Sequence, residues 1–128
     1  MKSLLACLIL LSPLASLATS AQTLDCQQSK NARACAQNAM TNARNNLLAL
    51  TKDLNKQLKD FNGMKSAQQF ARIEGQWEQF ADKQCVHVHE LYGKGSLGPI
   101  ADMTCREQLY KERISTLKDL YDEVLNPR

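Results

Sequence analysis

Residues 85–90 contain a cluster of side chains of the types that bind metal ions. Sulfur, imidazole and carboxylate ligands for zinc or copper are supplied there by Cys85, His87, His89 and Glu90. On a helix, however, His87 and His89 project about 200° apart and cannot bind one ion. Cys85 and His89 are four residues apart and could do so only if Cys85 were a free thiolate. The spacing therefore predicts two ordinary histidines, no metal site and no other cofactor.

The sequence contains no motif that is typical of a catalytic site. It lacks a nucleophile elbow, an HExxH zinc motif, a phosphate-binding loop and a CxxC redox pair. The acidic residues Glu74 and Glu78 are four residues apart, a spacing that is typical of the solvated face of a helix. We therefore expect no enzymatic activity and no catalytic residues.

Residues 1–21 have the composition of an export signal. Lys2 precedes the apolar run of residues 4–11, and small residues follow as far as Ala21. The apolar stretch is too short for the roughly 20 residues that span a bilayer, which argues against a retained membrane anchor. We therefore predict a signal peptide that is cleaved near Ser20 or Ala21.

Lipidation is a weaker alternative for the same segment. Cys7 follows Leu4-Leu5-Ala6, which is similar to a lipoprotein cleavage motif. Very few apolar residues precede this cysteine, so little hydrophobic region would remain for export. We expect a periplasmic or secreted protein, in which residues 22–128 form one domain with no membrane span.

The charge balance argues against a nucleic-acid partner. The sequence has 16 basic and 13 acidic residues, which gives a formal net charge of +3. Without Lys2 and the rest of the predicted signal peptide, the formal balance falls to +2. A nucleic-acid-binding domain usually carries a strongly basic face, and this weak excess does not supply one.

The mature chain is predicted to be all-α. It has three valines and three isoleucines, so residues that favour strands are scarce. Apolar residues at steps of three and four predict about three helices, from Ala36 to Asn62-Gly63, from a capping Ser66 to about Leu91, and from Pro99 to Asn126-Pro127. We therefore expect a small helical bundle whose core includes Trp77.

Four cysteines remain after signal cleavage, namely Cys26, Cys35, Cys85 and Cys105. An even number in a small exported domain indicates two disulfides, and of three connectivities we favour Cys26 with Cys35 and Cys85 with Cys105. Nine residues of straight helix would span roughly 13 Å, so the first pair requires the chain to turn between its cysteines. The second bridge would connect the second and third helices beneath residues 92–98.

Residues 92–98 contain three glycines and form the most promising functional segment. The segment also has one cation, Lys94, and one aliphatic hydroxyl, Ser96, on either side of Gly95. It could be a simple turn between antiparallel helices. Because two or three residues suffice for such a turn, a longer loop above a disulfide is instead suited to insertion into a partner's cleft. We predict that Lys94, Gly95 and Ser96 form a partner-binding loop.

The spacing of these residues resembles that of the LprI-type lysozyme inhibitor family. The resemblance covers about residues 24–120 and rests on Trp77, Cys85, Gly95-Ser96, Cys105, Arg113 and Leu117. It implies a small, exported, disulfide-bonded helical protein of the bacterial envelope, in which Trp77 and Arg113 have structural roles. The family pattern has an Arg-Asp pair before the Cys85 position, and in this sequence Ala81 stands in place of the arginine.

The resemblance leads to two hypotheses about function. The favoured one is a protein that binds a peptidoglycan-cleaving lysozyme and blocks its cleft, with Lys94 near the two catalytic carboxylates and Ser96 as a hydrogen-bonding group. The alternative is an envelope interaction or scaffold module with no inhibitory activity. An exposed apolar stripe on the first predicted helix, from Ala36 to Asn62-Gly63, together with a buried Trp77 would favour the alternative. The sequence leaves the oligomeric state open.

Overall fold

The computed structural model describes Cys26 and residues 29–128. Three helices follow one another in this part of the chain, namely α1 (Ala32–Leu91), α2 (Leu97–Leu120) and α3 (Asp122–Leu125). The described residues include no strand, which confirms the all-α prediction. The predicted signal peptide, residues 1–21 with Cys7, lies outside the described residues. No helix in the described part has the length and hydropathy that a bilayer span requires.

Helix α1 is divided at Gly63, whose φ of 84° and ψ of 174° are not helical. We call residues 32–62 the first arm and residues 64–91 the second arm. Leu54 of the first arm and Phe70 of the second belong to one buried cluster. In a straight helix these residues would lie roughly 24 Å apart. The chain therefore reverses at Gly63, and the two arms pack side by side.

Helix α2 packs antiparallel to the second arm and completes the core. Four pairs of residues define the register, namely Cys85 with Cys105, Trp77 with Tyr110, Glu74 with Arg113 and Phe70 with Tyr121. The buried cluster consists of residues from both arms and from α2, namely Ala43, Leu47, Leu54, Leu58, Phe70, Tyr110 and Leu117. The result is the predicted bundle of about three helical rods.

Both disulfides have the predicted connectivity. The Cα atoms are 5.4 Å apart in the Cys26–Cys35 bridge and 5.6 Å apart in the Cys85–Cys105 bridge. Between Cys26 and Cys35 the chain turns, since the Ser29 N–H donates to the Cys26 carbonyl and α1 begins only at Ala32. The Asn31 side chain accepts a hydrogen bond from the Ala34 N–H and caps the helix. The helix therefore begins at Ala32, four residues before the predicted start at Ala36.

Two predicted helix boundaries are wrong, and in each case the connection is shorter than expected. Ser66 does not begin a helix, because Gly63 alone makes the reversal and Ser66 lies inside the second arm. Helix α2 begins at Leu97, two residues before Pro99. Pro99 still lies in the first turn, where its missing N–H breaks no helical hydrogen bond.

The C-terminal end has a break that periodicity does not predict. Helix α2 ends at Leu120, and the short α3 follows after Tyr121, whose φ of −115° and ψ of 24° interrupt the helix. The Tyr121 ring meets the Phe70 ring edge-on at 5.4 Å. Asn126 ends α3, so the predicted stop at Asn126-Pro127 marks the end of helical structure.

Replacing Gly63 by alanine is expected to lower the free energy of unfolding by about 2 kcal/mol, because this φ, ψ region is almost restricted to glycine. Urea denaturation of the oxidised protein measures the change. Gly75→Ala is the matched control, since Gly75 lies within the second arm at helical angles and should gain about 1 kcal/mol. Equal effects of the same sign would contradict the turn assigned to Gly63.

Candidate functional site

The predicted partner-binding loop is the connection between α1 and α2. Residues 92–96 form it, and all five are exposed. It is two residues shorter than expected, because Leu97 and Gly98 belong to α2. Gly93 has a φ of 65°, a left-handed conformation that glycine adopts without strain. The structure thus places Lys94, Gly95 and Ser96 together at one end of the bundle.

Two contacts hold the base of this loop. The first is the Cys85–Cys105 bridge, whose Cys85 is fully buried. The second joins His89 and Gly98, since a Cβ built on Gly98 would lie 3.0 Å from two atoms of the His89 ring. A side chain at position 98 would therefore require the His89 ring and backbone to shift by a few tenths of an ångström. The Cys85–Cys105 disulfide is predicted from the number and spacing of the cysteines. The close approach of His89 and Gly98 is seen only in the structure.

The loop is flanked by apolar side chains that are open to solvent. Leu91 is 70% exposed, Tyr92 54% and Leu97 60%. We call residues 91–97 the tip; it contains these three side chains and the exposed cation Lys94. Lys94 and Ser96 are the residues that the sequence predicts for this loop, whereas the three apolar side chains were not predicted. The signal available was that Leu91 and Leu97 stand directly beside the glycine-rich segment.

Trp77 and Arg113 lie together, away from the tip. The Arg113 guanidinium donates hydrogen bonds to the Glu74 carboxylate and lies 5.4 Å from the centre of the Trp77 ring. The side chains of Arg113 and Glu74 are each 14% exposed. This ion pair connects α2 to the second arm, so the interpretation of Glu74 as a solvated residue is wrong. The structural roles of Trp77 and Arg113 stay a prediction.

Glu74→Gln is expected to lower the free energy of unfolding by about 2 kcal/mol, because it leaves the Arg113 guanidinium with no charged partner in a partly desolvated site. Chemical denaturation with and without the substitution measures the loss. Glu78→Gln is the control, since Glu78 is exposed one turn away and should change stability by less than about 0.5 kcal/mol. A loss of equal size in both variants would show that the ion pair is not the cause.

Ala81 and Asp82 occupy the positions of the Arg-Asp pair that the resemblance implies. Ala81 is buried, and the Asp82 carboxylate lies 2.8 Å from Nη1 of Arg106 on α2. Arg106 also donates to Asp102, and the hydrogen bonds to Asp102 and then Asp82 raise the pKa of Arg106 despite partial burial. The remaining acid of the pair therefore forms a second charged connection between the helices.

The residues considered as metal ligands do not converge. Cys85 is part of a disulfide, His87 is exposed, and the His89 ring packs against Gly98. Within Cys26 and residues 29–128, no three His, Cys, Asp or Glu side chains are grouped so that they could hold an ion. Cys85 and His89 instead contribute to the base of the tip, through the disulfide and the contact with Gly98.

Comparison with protein-family models decides the relationship. The chain matches the model described as "Lysozyme inhibitor LprI" over residues 22–117, three quarters of its length. The protein belongs to the LprI lysozyme inhibitor family. Comparisons with curated proteins and with solved structures give no match.

The LprI match spans both disulfides, the tip and the Trp77–Arg113 cluster, and it ends at Leu117. It confirms the resemblance seen in the sequence. The matched model describes lysozyme inhibitors, so membership supports a function of the same general kind. Together with two disulfides, membership indicates a protein that works outside the cytoplasm.

Proposed function

We propose that this LprI protein binds a peptidoglycan-cleaving lysozyme in the cell envelope and blocks its cleft with the tip. The observation that carries the proposal is the tip itself, in which three exposed apolar side chains surround Lys94 above a disulfide. Exposed apolar groups on a small protein commonly mark a binding surface. Family membership supports a lysozyme as the partner.

The proposed mechanism has a steric and an electrostatic part. Leu91, Tyr92 and Leu97 contact the walls of the cleft and exclude the glycan. Lys94 then approaches the pair of carboxyl groups that such glycosidases use, one of which must be protonated to act as the general acid. A nearby cation lowers the pKa of that carboxyl group and favours its inactive, ionised form. The Ser96 hydroxyl hydrogen-bonds to either carboxylate.

The rigid base of the tip reduces the cost of binding. A flexible loop loses conformational freedom when it enters a cleft, and this loss weakens the complex. Here the Cys85–Cys105 bridge and the His89–Gly98 contact fix both helix ends before binding. The mature chain carries only a weak positive charge, so affinity comes from contacts in the cleft rather than from long-range attraction to cationic lysozymes.

A double substitution at the tip tests the proposal. Lys94→Ala combined with Ser96→Ala is expected to weaken inhibition of a susceptible lysozyme about tenfold or more, because a central charged contact is lost. The assay follows lysis of peptidoglycan by several lysozyme classes with increasing inhibitor. Lys59→Ala is the matched control, since Lys59 is an exposed lysine near Gly63, at the opposite end of the bundle. Undiminished inhibition by the double variant would refute the proposed role of the tip.

A second candidate function is an envelope interaction module without inhibitory activity. The observation in its favour is the exposure of Ile73 and Phe80, which are 41% and 56% accessible and lie two turns apart on one face of the second arm. Trp77, between them in sequence, is partly buried and packs against the core. Failure of the protein to slow any class of lysozyme would favour this second function.

A further inference from the structure

A groove of about 520 Å³ runs between the two arms of α1, on a part of the molecule that the tip does not use. Its apolar walls are Leu47, Leu48, Phe70, Ala71, Trp77 and Tyr110. A groove of this size and lining is typical of sites for small ligands. Its centre near Gly75 lies roughly 24 Å along the second arm from Leu91, so a ligand here would be separate from the proposed lysozyme contact.

Gly75 forms an open part of the wall of this groove. It lies within the second arm at helical angles, where alanine would be more stable. A Cβ built on Gly75 would meet no atom within 4 Å. No close approach of another element therefore requires glycine at this position, and the space beside it is open to a ligand.

Asn55 supplies a polar group that lacks a partner. Its side-chain oxygen Oδ1 is buried, and within the described part of the chain no donor forms a hydrogen bond to it. Buried polar atoms in folded proteins nearly always have such a partner. Asn55 lines the groove and is part-exposed, so a rotation of its side chain would present this oxygen to a ligand with a hydroxyl or amide N–H donor.

The charges along the groove are unequal at its two ends. Arg44 and Glu78 both line the end that is distant from Asn55, and their charges offset one another. Lys52 lies one turn from Asn55, is exposed and takes part in none of the ion pairs among the described residues. Glu74, the other acid in the lining, is already paired with Arg113. The Asn55 end is therefore suited to a negatively charged group.

We propose that this groove binds a single-chain anionic amphiphile whose head group carries hydroxyls. The acyl chain lies along the apolar walls, one hydroxyl donates to Asn55 Oδ1, and the anionic group lies near Lys52. The lining from Arg44 to Asn55 covers about 16 Å of the first arm, which matches an acyl chain of medium length. The groove is separate from the tip and from the proposed lysozyme contact.

Trp77 allows a direct binding measurement, because it lines the groove and is the chain's only tryptophan. The oxidised mature protein is titrated with lauroyl lysophosphatidylglycerol below its micelle concentration. We expect a saturable change in tryptophan fluorescence, and about fivefold weaker binding after Lys52→Gln. Uncharged monolaurin, which has the hydroxyls without the phosphate, should bind wild type and Lys52→Gln alike. No fluorescence change with either lipid, or equal binding of the phospholipid by both proteins, would overturn the proposal.

Filling the groove distinguishes binding there from association elsewhere. Gly75→Leu is expected to weaken binding about tenfold, whereas Gly75→Ala adds one methyl group and should keep most of the affinity. Circular dichroism shows whether Gly75→Leu folds. If it does not, Ala71→Phe fills the same groove from the preceding helical turn and replaces it in the titration. Unchanged affinity in a folded filling variant would overturn the proposal. Inhibition of lysozyme should remain at the wild-type level in these variants, so the two proposals can fail separately.

Discussion

Replacing Cys85 and Cys105 together by alanine is expected to lower the free energy of unfolding by about 3 kcal/mol, because the bridge closes a segment of 20 residues. Cys85 is fully buried, and alanine leaves no unpaired polar group in its place. The same change should weaken lysozyme inhibition, since the tip loses the fixed base that lowers the cost of ordering it. Urea denaturation gives the first quantity and the lysis assay gives the second.

The matched control removes the other disulfide. Cys26→Ala with Cys35→Ala opens a bridge between cysteines nine positions apart at the start of α1, and both cysteines are partly exposed. This variant should lose stability but inhibit lysozyme like the wild type, because the tip keeps its own bridge. If both double variants inhibit equally while folded, the rigidity of the tip does not depend on Cys85–Cys105, and that part of the mechanism is wrong.

Leu117→Ala is expected to have the largest effect on stability, a loss of about 3–5 kcal/mol. Leu117 is fully buried in the cluster where α2 meets both arms of α1, so truncation leaves a cavity that the surrounding helices fill only in part. The shift of the urea midpoint at constant m-value measures the loss. The tip should remain intact, and the folded fraction should inhibit lysozyme at wild-type potency.

Leu120→Ala provides the control for this substitution. Leu120 is the last residue of α2 and is 70% exposed, so the same change in side chain should cost less than about 0.5 kcal/mol. Similar losses at positions 117 and 120 would contradict the packing of α2 against the two arms. The pair therefore tests the core without reference to the proposed function.

The helical class, the approximate helix positions and both disulfides follow from local signals in the sequence. Apolar residues at steps of three and four indicate which face of each helix is buried. An even number of cysteines in a small exported domain indicates disulfides. The sequence also predicts a helix end at Asn62-Gly63, but not that the chain reverses there within one residue. Periodicity alone does not say that one residue with positive φ suffices, so the capping role assigned to Ser66 was wrong.

The position of the predicted loop follows from the sequence, whereas one of the contacts at its base does not. Lys94, Gly95 and Ser96 are adjacent in sequence, and the glycines mark them as a loop. The His89–Gly98 contact depends on how two helix ends approach one another, which spacing does not encode. The pairing of Glu74 with Arg113 joins residues 39 positions apart, so nothing local in the sequence distinguishes Glu74 from the exposed Glu78.

Insertion of the tip into the lysozyme cleft is tested most directly by competition with an oligosaccharide. Calorimetry measures binding of the oxidised protein, residues 22–128, to a susceptible lysozyme, with and without a saturating trimer of N-acetylglucosamine in the cleft. We predict that the trimer weakens the affinity about tenfold or more, because both ligands need the same space. An affinity that does not change when the trimer fills the cleft would contradict the central claim.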